Sequence, residues 1–244
     1  MWEGITPWHL VALGLALFVG ATVQGVAGLG VGLLLAPVIG LLEPALLPGV
    51  PLFLAAAYPA LTLSRDVRHV DWPGLAWALP ARVPGTAIGV AVVALASRRV
   101  IALTVGAMVL VAVALTVRTI GVRVNRWTLS TVGVISGITG TATSIGGPPM
   151  ALLYQRRPTD EARSTLAVYF LLGAVFSLVG LAVTGQLYAR DAAVAAVLSP
   201  VLLVAFLASG VLRVRVEPGV VRAAMLAVCA LGACALIVRT LAVG

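Results

Sequence analysis

Two short stretches hold most of the chemistry this sequence could perform. Gln24-Gly25-Val26-Ala27-Gly28-Leu29-Gly30-Val31-Gly32 and Thr139-Gly140-Thr141-Ala142-Thr143-Ser144-Ile145-Gly146-Gly147-Pro148-Pro149 each set glycines and polar side chains inside a long apolar run. Neither is expected to be continuous helix, because glycine loosens the backbone and proline removes an amide and clashes with the preceding turn. In a bilayer such a break is tolerated only where protein buries it or a wet cavity meets it. The chemistry this suits is anion binding. Half-helix N-termini offer free N–H groups, and Gly25, Gly28, Gly30, Gly146 and Gly147 would let a ligand approach the backbone. Thr141, Thr143 and Ser144 would add hydroxyl donors and Gln24 an amide. The competing reading makes Gly25, Gly28, Gly32, Gly140 and Gly146 contacts for close helix packing. Two such stretches about 115 residues apart, close to half the chain, favour the binding site.

Arg82 is the second candidate. The run from Val83 to Ser97 is too short to span before Arg98-Arg99, so its helix must start near Pro73. That puts Arg82 about 15 Å deep at 1.5 Å per residue, near the middle of a hydrocarbon core roughly 30 Å thick. An arginine there costs about 2.5–3.5 kcal/mol and should face a cavity or a partner. It would attract an anion, unless Pro73–Arg82 lies at the interface and the side chain snorkels to headgroups.

Other chemistries find little support. Asp66, Asp71, Asp160, Glu161, Asp191 and Glu217 fall in loops or at span ends, and no acid is placed clearly mid-span. A proton relay would have to use His9, Glu43 or the substrate, and a solvated interfacial role is the simpler expectation for each. The segment Gln155–Arg163 reads first as a self-paired, solvated loop and second as a vestibule. No metal-ligand spacing, nucleotide-binding loop or catalytic triad is present, so no enzyme activity and no cofactor is expected. Cys229 and Cys234 share one apolar run but not one helical face, and read as small core residues.

The elements that must position these residues follow from composition. The 244-residue chain is 61% hydrophobic and 10% charged, with a mean hydropathy of +1.13. That is more apolar than a soluble core can use, and leaves room for roughly seven or eight spans of about 20 residues. All 16 basic residues are arginine and the net charge is +8. Short basic loops suit contact with anionic lipid, and nothing indicates nucleic acid. The N-terminus, Met1-Trp2-Glu3, lacks a basic leader region, so the first run reads as a retained span. Charged and turn-rich punctuation separates apolar runs at about 8–43, 47–64, 73–97, 99–118, 128–154, 164–186, 192–212 and 220–241.

The expected fold is all-α: a polytopic transmembrane bundle of about eight segments in two repeated halves, 1–120 and 121–244, joined around Arg118–Arg126, with helices 1 and 5 broken. Phe53 with Phe170, and Ala107-Met108 with Ala224-Met225, recur at matching places. On an eight-span layout the loop charges nearly balance, so the positive-inside rule leaves orientation open. The first run of about 36 residues exceeds one span. A helix followed by a half-helix that turns back at mid-membrane would change the parity of each half and decide whether the repeats are parallel or inverted.

The stretch Gln24–Gly32 followed by Leu33-Leu34-Leu35-Ala36-Pro37, together with Ile145-Gly146-Gly147-Pro148-Pro149, resembles the sulfite exporter TauE/SafE family of membrane permeases. The resemblance covers essentially the whole chain and implies transport of small, often sulfur-containing anions such as sulfite, thiosulfate or sulfonates between the two halves. The expected partners are then a small anion and membrane lipid, in a multi-pass protein of the bacterial inner (cell) membrane. Self-association as a homo-oligomer stays open. A passive anion channel and a non-transporting structural subunit are the alternatives.

Overall fold

The computed structural model describes residues 6–28, 30–64, 68–117, 123–212 and 218–242. Met1–Glu3, Leu29, Asp66, Arg118 and Glu217, all named above, lie outside the described residues. The described chain is helical throughout: α1 (Pro7–Ala27), α2 (Val31–Leu42), α3 (Gly49–Leu63), α4 (Trp72–Leu95), α5 (Arg98–Val117), α6 (Arg126–Thr143), α7 (Gly147–Tyr154), α8 (Thr159–Val183), α9 (Ala189–Leu212) and α10 (Pro218–Ala242), with one 3-10 turn at Pro44–Leu46. Side-chain caps start several of them. Asp71 Oδ1 accepts from Gly74 N at 2.9 Å ahead of α4, and Asn125 Oδ1 accepts from Trp127 N and Thr128 N at 2.9 and 3.0 Å ahead of α6.

About eight segments with the first and fifth broken are expected from the apolar runs; the described residues form ten α-helices, with α1 and α2 in the first run and α6 and α7 in the fifth. Six, α1, α4, α5, α8, α9 and α10, are long and apolar enough to cross a membrane. Cys234 departs from expectation: Cys229 is buried in the core, but Cys234 is exposed on the outer surface of α10.

Helix directions follow from which residues touch. Gly20 of α1 faces Gly30, Val31 and Leu34, so α2 turns back along α1. In the same way Ser136 Oγ of α6 donates to Gly146 O at 2.7 Å, and α7 turns back along α6. Gly133 abuts Ala78 and Gly137 abuts Arg82 and Thr86, so α4 and α6 run parallel. Gly14 near Val201 and Gly25 against Ser209 make α1 and α9 parallel. The packing keeps its pattern when the first five helices are exchanged for the second five: α4 on α6 answers α1 on α9, and α3 and α5 pack on their own counterparts, α8 and α10.

One end of the bundle holds Leu75, Leu129 and Tyr154 in a single apolar cluster, with exposed Trp72 and Trp127 at the rim. The opposite end carries exposed Trp8 and Tyr188, together with Glu43 and Arg190 paired at 3.8 Å. Such aromatic rims mark the two membrane–water boundaries. Helices α3, α4 and α5 each run from one end to the other. Three crossings put the α6–α7 hairpin at the Trp72 end, whereas the α1–α2 hairpin starts at the Trp8 end.

Close approach of α4 and α6 depends on glycine. A methyl on Gly85 would meet the Val134 carbonyl, one on Gly89 would stand 2.7 Å from Thr141 Cβ, and one on Gly137 would stand 2.7 Å from Thr86 N. The paired spacings Gly85-x3-Gly89 and Gly133-x3-Gly137 are small-residue packing motifs.

Candidate functional site

Both hairpins turn in the same manner. At the end of α1, Gly28 takes a left-handed conformation (φ 81°) and donates its amide to Gln24 O at 2.8 Å. At the end of α6, Ser144 does likewise (φ 62°), donating to Gly140 O at 3.0 Å. This is a helix stop that satisfies one terminal carbonyl while reversing the chain. The two tips touch. A methyl on Gly32, in the first turn of α2, would stand 2.6 Å from the Ser144 carbonyl.

Where the tips meet there is a cavity of about 70 Å³ lined by residues of both. From the first stretch come Gln24, Gly28 and Gly30, and from the second Ser144, Gly146 and Gly147. Arg82 reaches the same cavity from α4 and is, among the described residues, the only charged one in its lining. The volume fits an ion of a few heavy atoms, far below the pockets of 300 Å³ and more typical of drug-sized ligands.

Arg82 does not snorkel. It is 3% exposed, with its guanidinium over the Tyr169 ring (Cζ to centroid 4.7 Å) and flush against Gly173, where a Cβ would overlap its Cζ and Nε. Nε and Nη1 are buried without a hydrogen-bond partner. Nη2 faces the second stretch, so that methyls on Gly140 and Gly146 would lie 2.8 and 3.4 Å from it. A buried cation with unmet donors is costly unless something negative joins it.

The polar side chains of the two stretches are mostly committed to the protein itself. Gln24 Oε1 accepts from Val31 N at 2.9 Å, which fixes the first amide of α2 and leaves Nε2 as its available donor. Ser144 Oγ donates to Pro48 O at 3.0 Å. Thr143 Oγ1 donates to Thr139 O at 2.7 Å and accepts from Ile145 N at 3.3 Å. Thr141 pairs with Ser177 at 2.8 Å. Thr141 and Thr143 are thus buried away from the cavity, where the sequence suggests ligand donors. Each hydroxyl is held by a backbone or side-chain group nearer than the cavity. Pro148 and Pro149 also remove two donors from the first turn of α7, leaving its dipole and the Gly147 amide.

Gly25 lies outside the small cavity as well. It lines a larger one, about 440 Å³, that opens at the Trp72 end among Gln155, Arg157, Asp160 and Arg163. The segment from Gln155 to Arg163 is therefore both self-paired, through Arg157 and Glu161 at 3.7 Å, and the wall of a vestibule. Arg163 Nη2 donates to Gly25 O at 2.9 Å and so ties the start of α8 to the last turn of α1. Gln24, Gly28, Pro59, Pro148 and Phe170 border both cavities and form the neck between them. Toward the Trp8 end, the small cavity meets Leu33, Leu52 and the Ser144–Pro48 hydrogen bond.

Tyr169 and Gly173 were not legible in the sequence as parts of this site. They lie four apart on one face of α8, an ordinary helical spacing, and only their partner on α4 gives them meaning. The Tyr169 hydroxyl is buried without a partner, so the ring rather than the oxygen serves Arg82. Tyr169→Phe should keep anion affinity at the wild-type level. Tyr169→Leu should weaken it roughly 2- to 30-fold, the range of a cation–π contact. Titration of binding in the purified protein distinguishes the two; equal loss in both variants would put the role in the hydroxyl.

Among the described residues no group of three His, Cys, Asp or Glu side chains is placed to hold a metal ion. The family model described as sulfite exporter TauE/SafE matches residues 12–236. No curated protein and no solved structure gives a match.

Proposed function

The chain belongs to the sulfite exporter TauE/SafE family and is a multi-pass membrane protein; from that premise we propose a secondary permease that binds one small oxyanion between its two hairpin tips. The observation that carries this reading is Arg82: buried, unpartnered at Nε and Nη1, and facing a cavity lined by both glycine stretches. A tetrahedral or pyramidal sulfur oxyanion, such as sulfite, thiosulfate or a sulfonate, would take hydrogen bonds from the guanidinium, Gln24 Nε2 and the amides about Gly146 and Gly147. Gly28 and Gly30 would admit it close to the backbone. Thr141, Thr143 and Gly25 brace the tips rather than touch it, and the Ser144 hydroxyl holds the turn to Pro48.

On this reading the segments 1–120 and 121–244 are inverted repeats whose broken first helices meet near the membrane centre, an arrangement that recurs in transporters. Orientation follows from arginine. The connections and adjoining turns at the Trp72 end carry Arg68, Arg123, Arg126, Arg156, Arg157, Arg163 and Arg222, and the sequence adds Arg65, Arg118, Arg213 and Arg215 to those same connections. The Trp8 end carries Arg98, Arg99, Arg190 and Arg239. Eleven against four makes the Trp72 end cytoplasmic in a cell membrane. The near balance of an eight-span layout came from treating each hairpin as one crossing. The vestibule then opens to the cytoplasm, where its arginines would concentrate anions.

A small site joined by a narrow neck to the vestibule at the Trp72 end supports a carrier over a channel, which needs a passage open to both ends. Proteoliposomes containing the full chain and loaded with thiosulfate test it. Saturable counterflow of labelled thiosulfate, competed by sulfite and methanesulfonate more than by acetate, is the expected result. Conductance without counterflow would replace the carrier with a channel, and no anion movement of either kind would leave the site without this function.

A further inference from the structure

The sequence places Asp191 at a helix start among solvated loop charges, but the folded chain buries it to 3% exposure. One oxygen, Oδ2, accepts from Tyr188 N at 3.3 Å, while Oδ1 is buried with no partner. The carboxyl sits on the first residue of α3, where a Cβ on Gly49 would overlap Oδ2. Gly49 follows Pro48, whose carbonyl accepts from Ser144 Oγ at the anion cavity. Pro48 and Gly49 therefore join the hairpin tip to Asp191 on the Trp8 side of the cavity.

The charges facing Asp191 are few. Arg190, its neighbour, is held toward Glu43 at 3.8 Å, and its Nε and Nη2 are buried without hydrogen bonds. On α1, His9 is half-buried and its Nδ1 accepts from Thr6 N at 3.2 Å. Helix α3 has no acid, base or histidine, and the charged residues of α8, Asp160, Glu161 and Arg163, lie at the other end. Glu43, Arg190 and ionised Asp191 sum to one negative charge; a proton on Asp191 makes the group neutral. Burying a net charge is expensive, whereas water reaching an opened end would stabilise the carboxylate.

We propose that Asp191 is a proton-binding site that locks the Trp8 end. Its Oδ1 takes a proton from water on that side as the end closes and returns it to water as the end opens and hydrates. The closed form then binds the proton more tightly than the open form. By linkage, low pH favours the closed end and high pH favours opening. The inference rests on the carrier reading for the open form, yet needs no particular anion.

The test is a distance measurement that does not depend on transport. Spin labels are placed at Ala45→Cys and Ala189→Cys in the full chain with Cys229 and Cys234 replaced by serine, and distances are read by pulsed electron resonance in nanodiscs at pH 5.5 and pH 8. Wild-type background should shift toward the longer distance at pH 8. Asp191→Asn, a permanent mimic of the protonated form, should keep the short distance at both values, and Asp191→Glu should restore the shift. A pH-independent wild type, a shift surviving in Asp191→Asn, or a shift lost only in Glu43→Gln would overturn the proposal. A distance that ignores pH but lengthens on adding thiosulfate would do so while leaving the carrier standing.

Discussion

Arg82→Gln will cut thiosulfate counterflow by at least about 100-fold while leaving the empty protein as heat-stable as wild type or more so. The two halves of this expectation come from one fact. In the empty protein the guanidinium has only the Tyr169 ring for company and two nitrogens without acceptors, so removing the charge relieves a burial penalty. In the loaded protein the guanidinium, whose Nη2 faces the cavity lining at Gly140 and Gly146, would meet the anion, and hydrogen bonds to a charged group contribute about 1.5–3 kcal/mol each. Two such bonds account for the predicted loss, since each 1.4 kcal/mol is tenfold. Arg82→Lys keeps the charge but not the fork or the stacking, and should fall between wild type and Gln. A structural arginine would behave oppositely: Arg82→Gln would lower the melting temperature and transport together. Thermal unfolding beside counterflow, in one preparation of each variant, separates the cases.

Gly137→Ala should damage both folding and transport. The added carbon would stand 2.5 Å from Arg82 O and 2.7 Å from Thr86 N, both backbone atoms of α4 that no rotamer change can move. Overpacking of this kind costs about 1–3 kcal/mol, and the strain falls on the segment of α4 that holds Arg82 in place. The expected outcome is a melting temperature lower by several degrees and counterflow near background. Gly14→Ala serves as the comparison, because its methyl would find only Val201 Cγ2, 4.0 Å away. It should be neutral or stabilising, as alanine is the better helix former by up to about 1 kcal/mol. Equal behaviour of the two variants would remove the close α4–α6 seam from the account.

What could be read from the sequence was set by features that are local. The glycine stretches announce themselves because they interrupt apolar runs, and the depth of Arg82 follows from the length of the run after it. Composition alone places the chain in a bilayer. Features that depend on a partner across the bundle were not visible. Thr141 and Thr143 look like ligand donors until Ser177 and the Thr139 carbonyl take them. Tyr169 and Gly173 look like ordinary apolar-helix residues until Arg82 packs between them. Asp191 looks solvated because helix starts usually are; the start of α3 at Gly49 packs on its carboxyl and buries it. The seam motifs Gly85-x3-Gly89 and Gly133-x3-Gly137 are present in the sequence, but the spacing alone does not say which helix packs on which. The glycine stretches mark where the first and fifth runs are interrupted, but not that the second limb of each turns back along the first, which depends on contacts such as Gly20 with Leu34 and Ser136 with Gly146.

The central claim is that an oxyanion sits between the hairpin tips on Arg82. Selenate, a small tetrahedral oxyanion with a strong anomalous signal, tests it directly in crystals of the wild-type chain. The account predicts a selenium peak inside the cavity of about 70 Å³, with selenate oxygens at about 2.7–3.1 Å from Arg82 nitrogens, and no such peak in Arg82→Gln. A peak confined to the vestibule arginines, or one that persists in the cavity when Arg82 is gone, would contradict it.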